Sequence, residues 1–461
     1  MNKLISTIKN VFAIEDLRTR ILNTLFYIAI FRLGSYVVLP GVNPLLLKKD
    51  GATGVLGILD TLLGGAFSNA SIFGLGIMPY ISASIVLQLL TIAVPYFQKM
   101  QKDGESGRKK INQITRVLTI AITLAQSLAY IATIPAEAIT VSNSLFTVSS
   151  MIIVTAGTMF CMWLGEKITD KGIGNGISML IMIGIVSRLP GAVAGEVFAK
   201  GLGGALLILL ELAVLFFVVM AVVMLTQAVR RIPVQYAKQI GGTTQLAGQR
   251  QFIPLKVNAA GVMPIIFAQS LMFIPAIIAG QFKGGSDTAS TISTLFSDYT
   301  SWVYNLTFAL LIIVFTYFYT AISVNPTQIA DDLKRSGGFV PGVKPGAATS
   351  EFIDEILTRI TLPGAVALAL IAIFPAIALL FGVTREFSKF FGGTSLIIMV
   401  GVVLDTMNQV ESYLLMRHYD GMMQSGKLKG GPGALAIPSA VGAPGITGAG
   451  APPQPISAMA S

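Results

Sequence analysis

The chain has 461 residues, of which 53% are hydrophobic and only 12% are charged, with a formal net charge of +10. That charged fraction is about half of what soluble domains carry, too little to cover a soluble core of this size. The lone Cys161 excludes an intrachain disulfide or a CxxC metal site, and the lone His418, beyond the last apolar block, speaks against a histidine-based intramembrane hydrolase.

The apolar residues fall in blocks of about twenty, the length a helix needs to cross roughly 30 Å of hydrocarbon. A helix also satisfies its own backbone hydrogen bonds in lipid, whereas barrel strands would alternate apolar and polar residues, which these blocks do not. The first segment has Ile5, Ile8, Val11 and Phe12 against Lys3, Lys9, Glu15 and Arg18, which predicts an amphipathic helix on the membrane surface. It has no long apolar run and no small-residue cleavage site, so a cleaved signal peptide is not expected. Ten spans follow, at 21–40, 75–95, 116–136, 149–166, 177–195, 204–227, 261–281, 303–324, 361–383 and 394–414. A cytoplasmic N-terminus puts most of the 32 Lys and Arg residues on inside segments, so both termini are expected to be cytoplasmic.

Between spans one and two, residues 55–73 are too apolar for a solvated loop and too short to span. Asp60 and Gly64-Gly65 interrupt them, which suggests a short re-entrant helix. The inside loops 96–115, 228–260 and 325–360 are basic, and basic loops are drawn to anionic phospholipid. The last two greatly exceed the roughly two to eight residues that helix connections take, which points to a cytoplasmic partner. Ribosomal RNA is one partner that would satisfy this chemistry. From Gly430 to Ser461 the chain is rich in Gly, Ala and Pro without a charge, and it is expected to be a disordered tail.

A faint duplication organises the rest. Gly76-Ile77-Met78-Pro79-Tyr80-Ile81-Ser82-Ala83 at span two and Gly261-Val262-Met263-Pro264-Ile265-Ile266-Phe267-Ala268 at span seven agree at five of eight positions. Ser178-Met179-Leu180-Ile181 at span five is echoed by Ser395-Leu396-Ile397-Ile398 at span ten. A repeat of five spans has its second copy upside down, so the expected fold is an all-α membrane protein of two inverted five-helix halves. These are an N-terminal half, 1–200, and a C-terminal half, 201–429, with a pathway between them. Ile77 and Ile81 share one helical face, as do Ile177 and Ile181, and the alignment sets Ile266 opposite Ile81 and Ile398 opposite Ile181. Six stiff, β-branched side chains at related positions predict an uncharged constriction that closes by dewetting.

Ser71 to Ser84, with Gln88-Leu89-Leu90, resembles the first signature of the SecY family, and Trp163 to Ser178 resembles the second. Gly104-Glu105-Ser106-Gly107-Arg108, Pro254-Leu255-Lys256-Val257-Asn258, Phe339-Val340-Pro341-Gly342 and Phe391-Gly392-Gly393-Thr394-Ser395 are similar to further family motifs, in order, up to about residue 429. The resemblance implies the pore-forming subunit of a protein-conducting channel in the bacterial cytoplasmic membrane, not an enzyme, with no cofactor and no metal. Unfolded secretory proteins would cross it, and membrane segments would leave sideways. It implies that the six isoleucines form the pore ring. A plug would include Leu56, Ile58, Leu59, Leu62, Leu63 and Phe67, and a lateral gate Ser82, Ile85, Gln88, Gln269 and Ser270. Arg230, Arg231, Lys238, Arg250 and Lys344 would dock the ribosome or the SecA motor. SecE, SecG and signal sequences are the other implied partners. Thr243-Thr244 stands where the family often has adjacent arginines, and Lys344 replaces its usual arginine, losing the bidentate fork.

Two other readings follow from the residues. A small-solute transporter would need an intramembrane carboxylate, and Glu211 in span six is the best candidate, followed by Asp405. No basic partner for Glu211 is legible in a neighbouring span. Gly172-Ile173-Gly174-Asn175-Gly176 has the glycines of a nucleotide loop but no preceding strand, so a tight turn into span five is expected.

Overall fold

The computed structural model describes residues 14–47, 60–236, 240–241, 244–245, 250–281 and 300–424. A helix stands at each of the ten predicted spans. In chain order these are Glu15–Gly34, Met78–Ala93, Gly104–Ile131, Asn143–Lys171, Gly176–Lys200, Ala205–Gln227, Met263–Gln281, Trp302–Ser323, Ala347–Leu380 and Gly393–Gln424, numbered here spans one to ten. Among the described residues, seven helices are long and apolar enough to cross a membrane. Met78–Thr91 with Pro95–Gln101 makes an eighth if that bent pair is one span, and Met263–Met272 is a shorter apolar helix. Span one falls short because Arg18, Arg20 and Arg32 interrupt its apolar stretch. The amphipathic segment predicted before it, and the tail after residue 430, lie outside the described residues.

Several helices overrun the predicted spans, because charged residues let a helix continue in water. Span three begins at Gly104 rather than 116, and Glu105 pairs with Lys109 one turn on at 3.0 Å. Span nine begins at Ala347 rather than 361, with a similar pair between Glu355 and Arg359 at 2.5 Å. Span two ends at Val94, whose extended backbone is what the following Pro95 demands.

The sequence duplication is also a duplication of backbone. Gly76 and Gly261 both take positive φ, +51° and +64°, a conformation that glycine adopts without Cβ strain. In each copy a proline follows within the first helical turn, where its missing N–H costs nothing. The first-turn bonds match as well, Ile81 N to Ile77 O at 3.1 Å and Ile266 N to Val262 O at 3.3 Å. The two halves meet in one apolar cluster, with Phe31, Ile77, Ile81, Leu180 and Ile181 from the first and Ile266, Ile398 and Val402 from the second.

The two long loops are folded. Strands β1 (Val229–Tyr236), β2 (Ile240–Gly241), β3 (Thr244–Gln245), β4 (Arg250–Lys256) and β5 (Gly338–Phe339) form an antiparallel sheet in the order β4-β1-β5 and a small β2-β3 pair. Ile232 lies opposite Ile253, and Gln235 opposite Phe339, so one sheet joins both loops. Alternation explains the strand: Ile232 and Val234 are buried while Arg230, Arg231 and Pro233 are exposed. Leu333 of the helix Pro326–Arg335 and Ile353 and Leu357 of span nine complete this core.

Candidate functional site

Four of the six predicted ring residues converge. Ile81, Ile181, Ile266 and Ile398, from spans two, five, seven and ten, line one cavity of about 10 Å³ together with Leu62, Met78, Gln269 and Thr394. That is room for no more than about one water. Ile77 lines an adjoining cavity with Phe31, Leu63 and Leu180. Ile177 is partly buried and lies outside the ring cavity; its Cγ1 comes within 3.0 Å of where a Cβ on Gly165 of span four would stand.

Leu62 and Leu63, from the predicted plug, are buried against this constriction, and Phe67 packs on the Tyr130 ring at 5.0 Å between centroids. The helical residues end at Leu62, and Leu63 and Phe67 stand in the series of turns that follows. It is tied down at its far end, where Leu39 N bonds Ala70 O at 2.8 Å and Ile72 N bonds Val37 O at 2.9 Å. Leu56, Ile58 and Leu59 lie outside the described residues.

The predicted gate residues divide by role. Ser82 and Ser270 donate to carbonyls one turn back, Met78 O at 3.2 Å and Ile266 O at 2.9 Å. Ile85 packs against the central cluster, and Gln269 lines the ring cavity. Gln88 alone reaches across, accepting a hydrogen bond from the Tyr319 hydroxyl of span eight. Tyr319 in turn packs on Phe267 of span seven, with centroids 4.9 Å apart. Neither Tyr319 nor Phe267 was legible as part of this contact, because an aromatic in an apolar helix gives no local signal of what it faces.

On the sheet side, Arg230, Arg231 and Lys344 are exposed. Arg250 opens β4, and Lys238 and Thr243 lie outside the described residues. The glycine-rich segment is a turn: Asn175 caps span five by accepting from Ile177 N and Ser178 N, and Gly176 N donates to Thr169 Oγ1 at 2.9 Å. Gly174 N donates to Gln409 Oε1 of span ten at 2.8 Å, which fastens the halves on this side.

At the opposite end, Glu211 corrects the sequence reading. It is ion-paired with Lys200, the last residue of span five, and Lys200 also holds Glu196 at 2.7 Å. Glu196, almost fully buried, accepts the Thr384 amide at 3.0 Å and the Thr384 hydroxyl. A buried carboxylate so paired braces the connection between the halves rather than offering a free site to a solute. The sequence concealed this because Lys200 stands at a helix end and not within a span. Asp405 is exposed on span ten.

Comparisons with known proteins fit this geometry. A SecY family profile matches residues 71–407. The protein translocase subunit SecY of Streptomyces galbus is 42% identical over 440 residues, covering 91% of this chain and 100% of its own. A solved structure described as that of a protein conducting channel superposes with a TM-score of 0.61 at 15% identity, over 86% of this chain and 92% of its own. Sec61 in the canine ribosome–channel complex from the endoplasmic reticulum superposes with a TM-score of 0.56 at 15% identity, over the same shares.

Proposed function

The chain belongs to the SecY family, and on that premise we propose that it is the pore-forming subunit of a protein-conducting channel of the bacterial cytoplasmic membrane. Unfolded secretory proteins cross between its two halves, and membrane segments leave sideways between spans two and three on one side and spans seven and eight on the other. The observation that carries this reading is the meeting of Ile81, Ile181, Ile266 and Ile398, from both halves, around Leu62. An uncharged ring of branched side chains offers no binding site for a small solute. It suits a seal that excludes ions by dewetting and widens around whatever chain fills it.

In this reading the residues 1–200 and 201–429 act as two bodies, with the connection at Gly201–Gly204 as their hinge. Ile77 and Ile177 join the ring as it opens, and the turn from Asp60 onward, with the segment before it, is the plug. A signal sequence parts the Gln88–Tyr319 contact. Both termini are cytoplasmic, so the sheet side faces the cytoplasm, where Arg230, Arg231, Lys238, Arg250 and Lys344 dock the SecA motor or a ribosome. SecE and SecG complete the complex, and the basic loops also meet anionic phospholipid. Driving energy comes from a partner or from the membrane potential, since the chain carries no Walker motif.

The test is reconstitution. Proteoliposomes holding the chain with its partner subunits, supplied with SecA and ATP, should protect a signal-bearing precursor from external protease. Protection that is absent here, yet present with a related translocase prepared in parallel, contradicts the reading.

A further inference from the structure

The turn that carries Leu62 is held by two arginines of the N-terminal half. Asp60 is buried, and its Oδ2 pairs with the guanidinium of Arg188 in span five. Its Oδ1 accepts the amide of Ser68 at 2.9 Å, so the same carboxylate also closes the turn on itself. Arg32 of span one donates to the Gly64 carbonyl at 3.2 Å. Gly184 of span five lies against the backbone of this turn, and a Cβ there would collide with the Leu62 carbonyl.

Towards the C-terminal half the contacts are of another kind. Leu62 lines a cavity of about 10 Å³ with Ile266 and Ile398. Thr61 faces a cavity of about 40 Å³ whose walls include Gln269, Tyr304, Lys389 and Thr394. At roughly 10–15 Å³ per water, that cavity has room for about three or four. Both arginine contacts of the turn thus come from spans one and five of the N-terminal half.

We propose that Arg188, acting through Asp60, is the positioning residue that seats the plug on the closed ring, and that the plug stays with the N-terminal half until this pair breaks. The pair exists only while the turn rests on span five, so its free energy favours the closed state alone and biases the equilibrium between closed and open. Asp60 lies out of water, and removing its partner leaves an uncompensated buried charge. Arg188 keeps an exposed edge, which gives an approaching polypeptide a place to compete for it. This inference rests on the channel reading above.

The experiment uses membrane vesicles carrying the whole complex. The variants are Asp60→Asn, Arg188→Gln, their double combination, and Arg188→Lys. Three quantities are read: resting ion leak, export of a precursor with an inactivated signal sequence, and export of the intact precursor. Each single neutral variant should raise leak and signal-independent export by at least about tenfold, because breaking a pair with a buried carboxylate is strongly destabilising to the state that holds it. Arg188→Lys should restore closure, and the double variant should be no leakier than the leakier single one, because the two residues act as one unit.

Singles that match the parent in both readouts, or that add independently in the double, overturn the proposal. If the neutral variants do not accumulate, Asp60→Cys with Arg188→Cys in a Cys161→Ala background replaces them. Bridging the two cysteines with a short cleavable reagent should block export until the bridge is cut, and full export through the bridged form overturns the proposal. Intact-precursor export by the parent reports separately on the channel reading, so the two can fail apart.

Discussion

The hydroxyl of Tyr319 in span eight donates to the side-chain oxygen of Gln88 in span two, which joins the two halves by a hydrogen bond along the seam where a membrane segment would leave. The bond is only partly shielded, and Tyr319 also rests on the Phe267 ring.

Tyr319→Phe removes that bond while keeping the ring. A net hydrogen bond is worth about 0.5–1.5 kcal/mol, so the open fraction should rise a few-fold to about tenfold. Export of a precursor with a weakened signal sequence should increase by that factor in a vesicle protection assay, with the intact precursor little changed. An unchanged ratio between the two precursors would mean that Gln88 and Tyr319 do not govern the seam.

The proposed ring is made of apolar, branched side chains that line one cavity. Ile181→Asn puts a hydrated amide in a cavity that now admits about one water at most, and should produce a resting ion conductance in planar bilayers. Ile181→Val keeps the shape of the wall and should stay near the parent level.

Lys200 holds two carboxylates, Glu196 and Glu211, at the hinge end. Lys200→Met leaves the buried Glu196 and the partly buried Glu211 without a cation and should cost about 3–5 kcal/mol, read as a lower unfolding temperature of the purified complex. Glu211→Gln relieves the competition for one ammonium, and export should stay within about twofold of the parent, because a bracing carboxylate is not a transport site. A large loss of export with unchanged stability would revive the solute-transport reading.

Arg230 and Arg231 are exposed on β1 while Ile232 on the same strand is buried. Reversing both arginines to Glu should weaken binding of ribosomes or SecA and flatten its salt dependence, with thermal stability unchanged. Ile232→Asp should instead unfold the sheet, which limited proteolysis of this side would report.

What the sequence disclosed was local in origin. Apolar length gave the spans, and the Gly-x-Met-Pro pattern at Gly76 and Gly261 gave the duplication, because a left-handed glycine and a first-turn proline are single-residue requirements. Partners far apart in the chain stayed hidden. Nothing near Gln88 names Tyr319, nothing near Asp60 names Arg188, and Glu211 was read as unpartnered because Lys200 ends its helix outside the apolar block. The sheet was missed for a related reason: β1 finds its partner β5, only two residues long, in a different loop, and its alternation rests on Ile232 and Val234 alone. Helix ends were misjudged where charged turns, such as Glu105 to Lys109, carry a helix past the membrane.

The central claim is that a polypeptide passes through the constriction formed by Ile81, Ile181, Ile266 and Ile398. The most direct measurement places a single cysteine at Ile181, with Cys161 replaced, and stalls a secretory precursor bearing one cysteine in its translocating segment. The account predicts a disulfide between the two that depends on a functional signal sequence and is absent at exposed Leu210 of span six. A precursor that is stalled and inserted yet never bonds at residue 181 would contradict it.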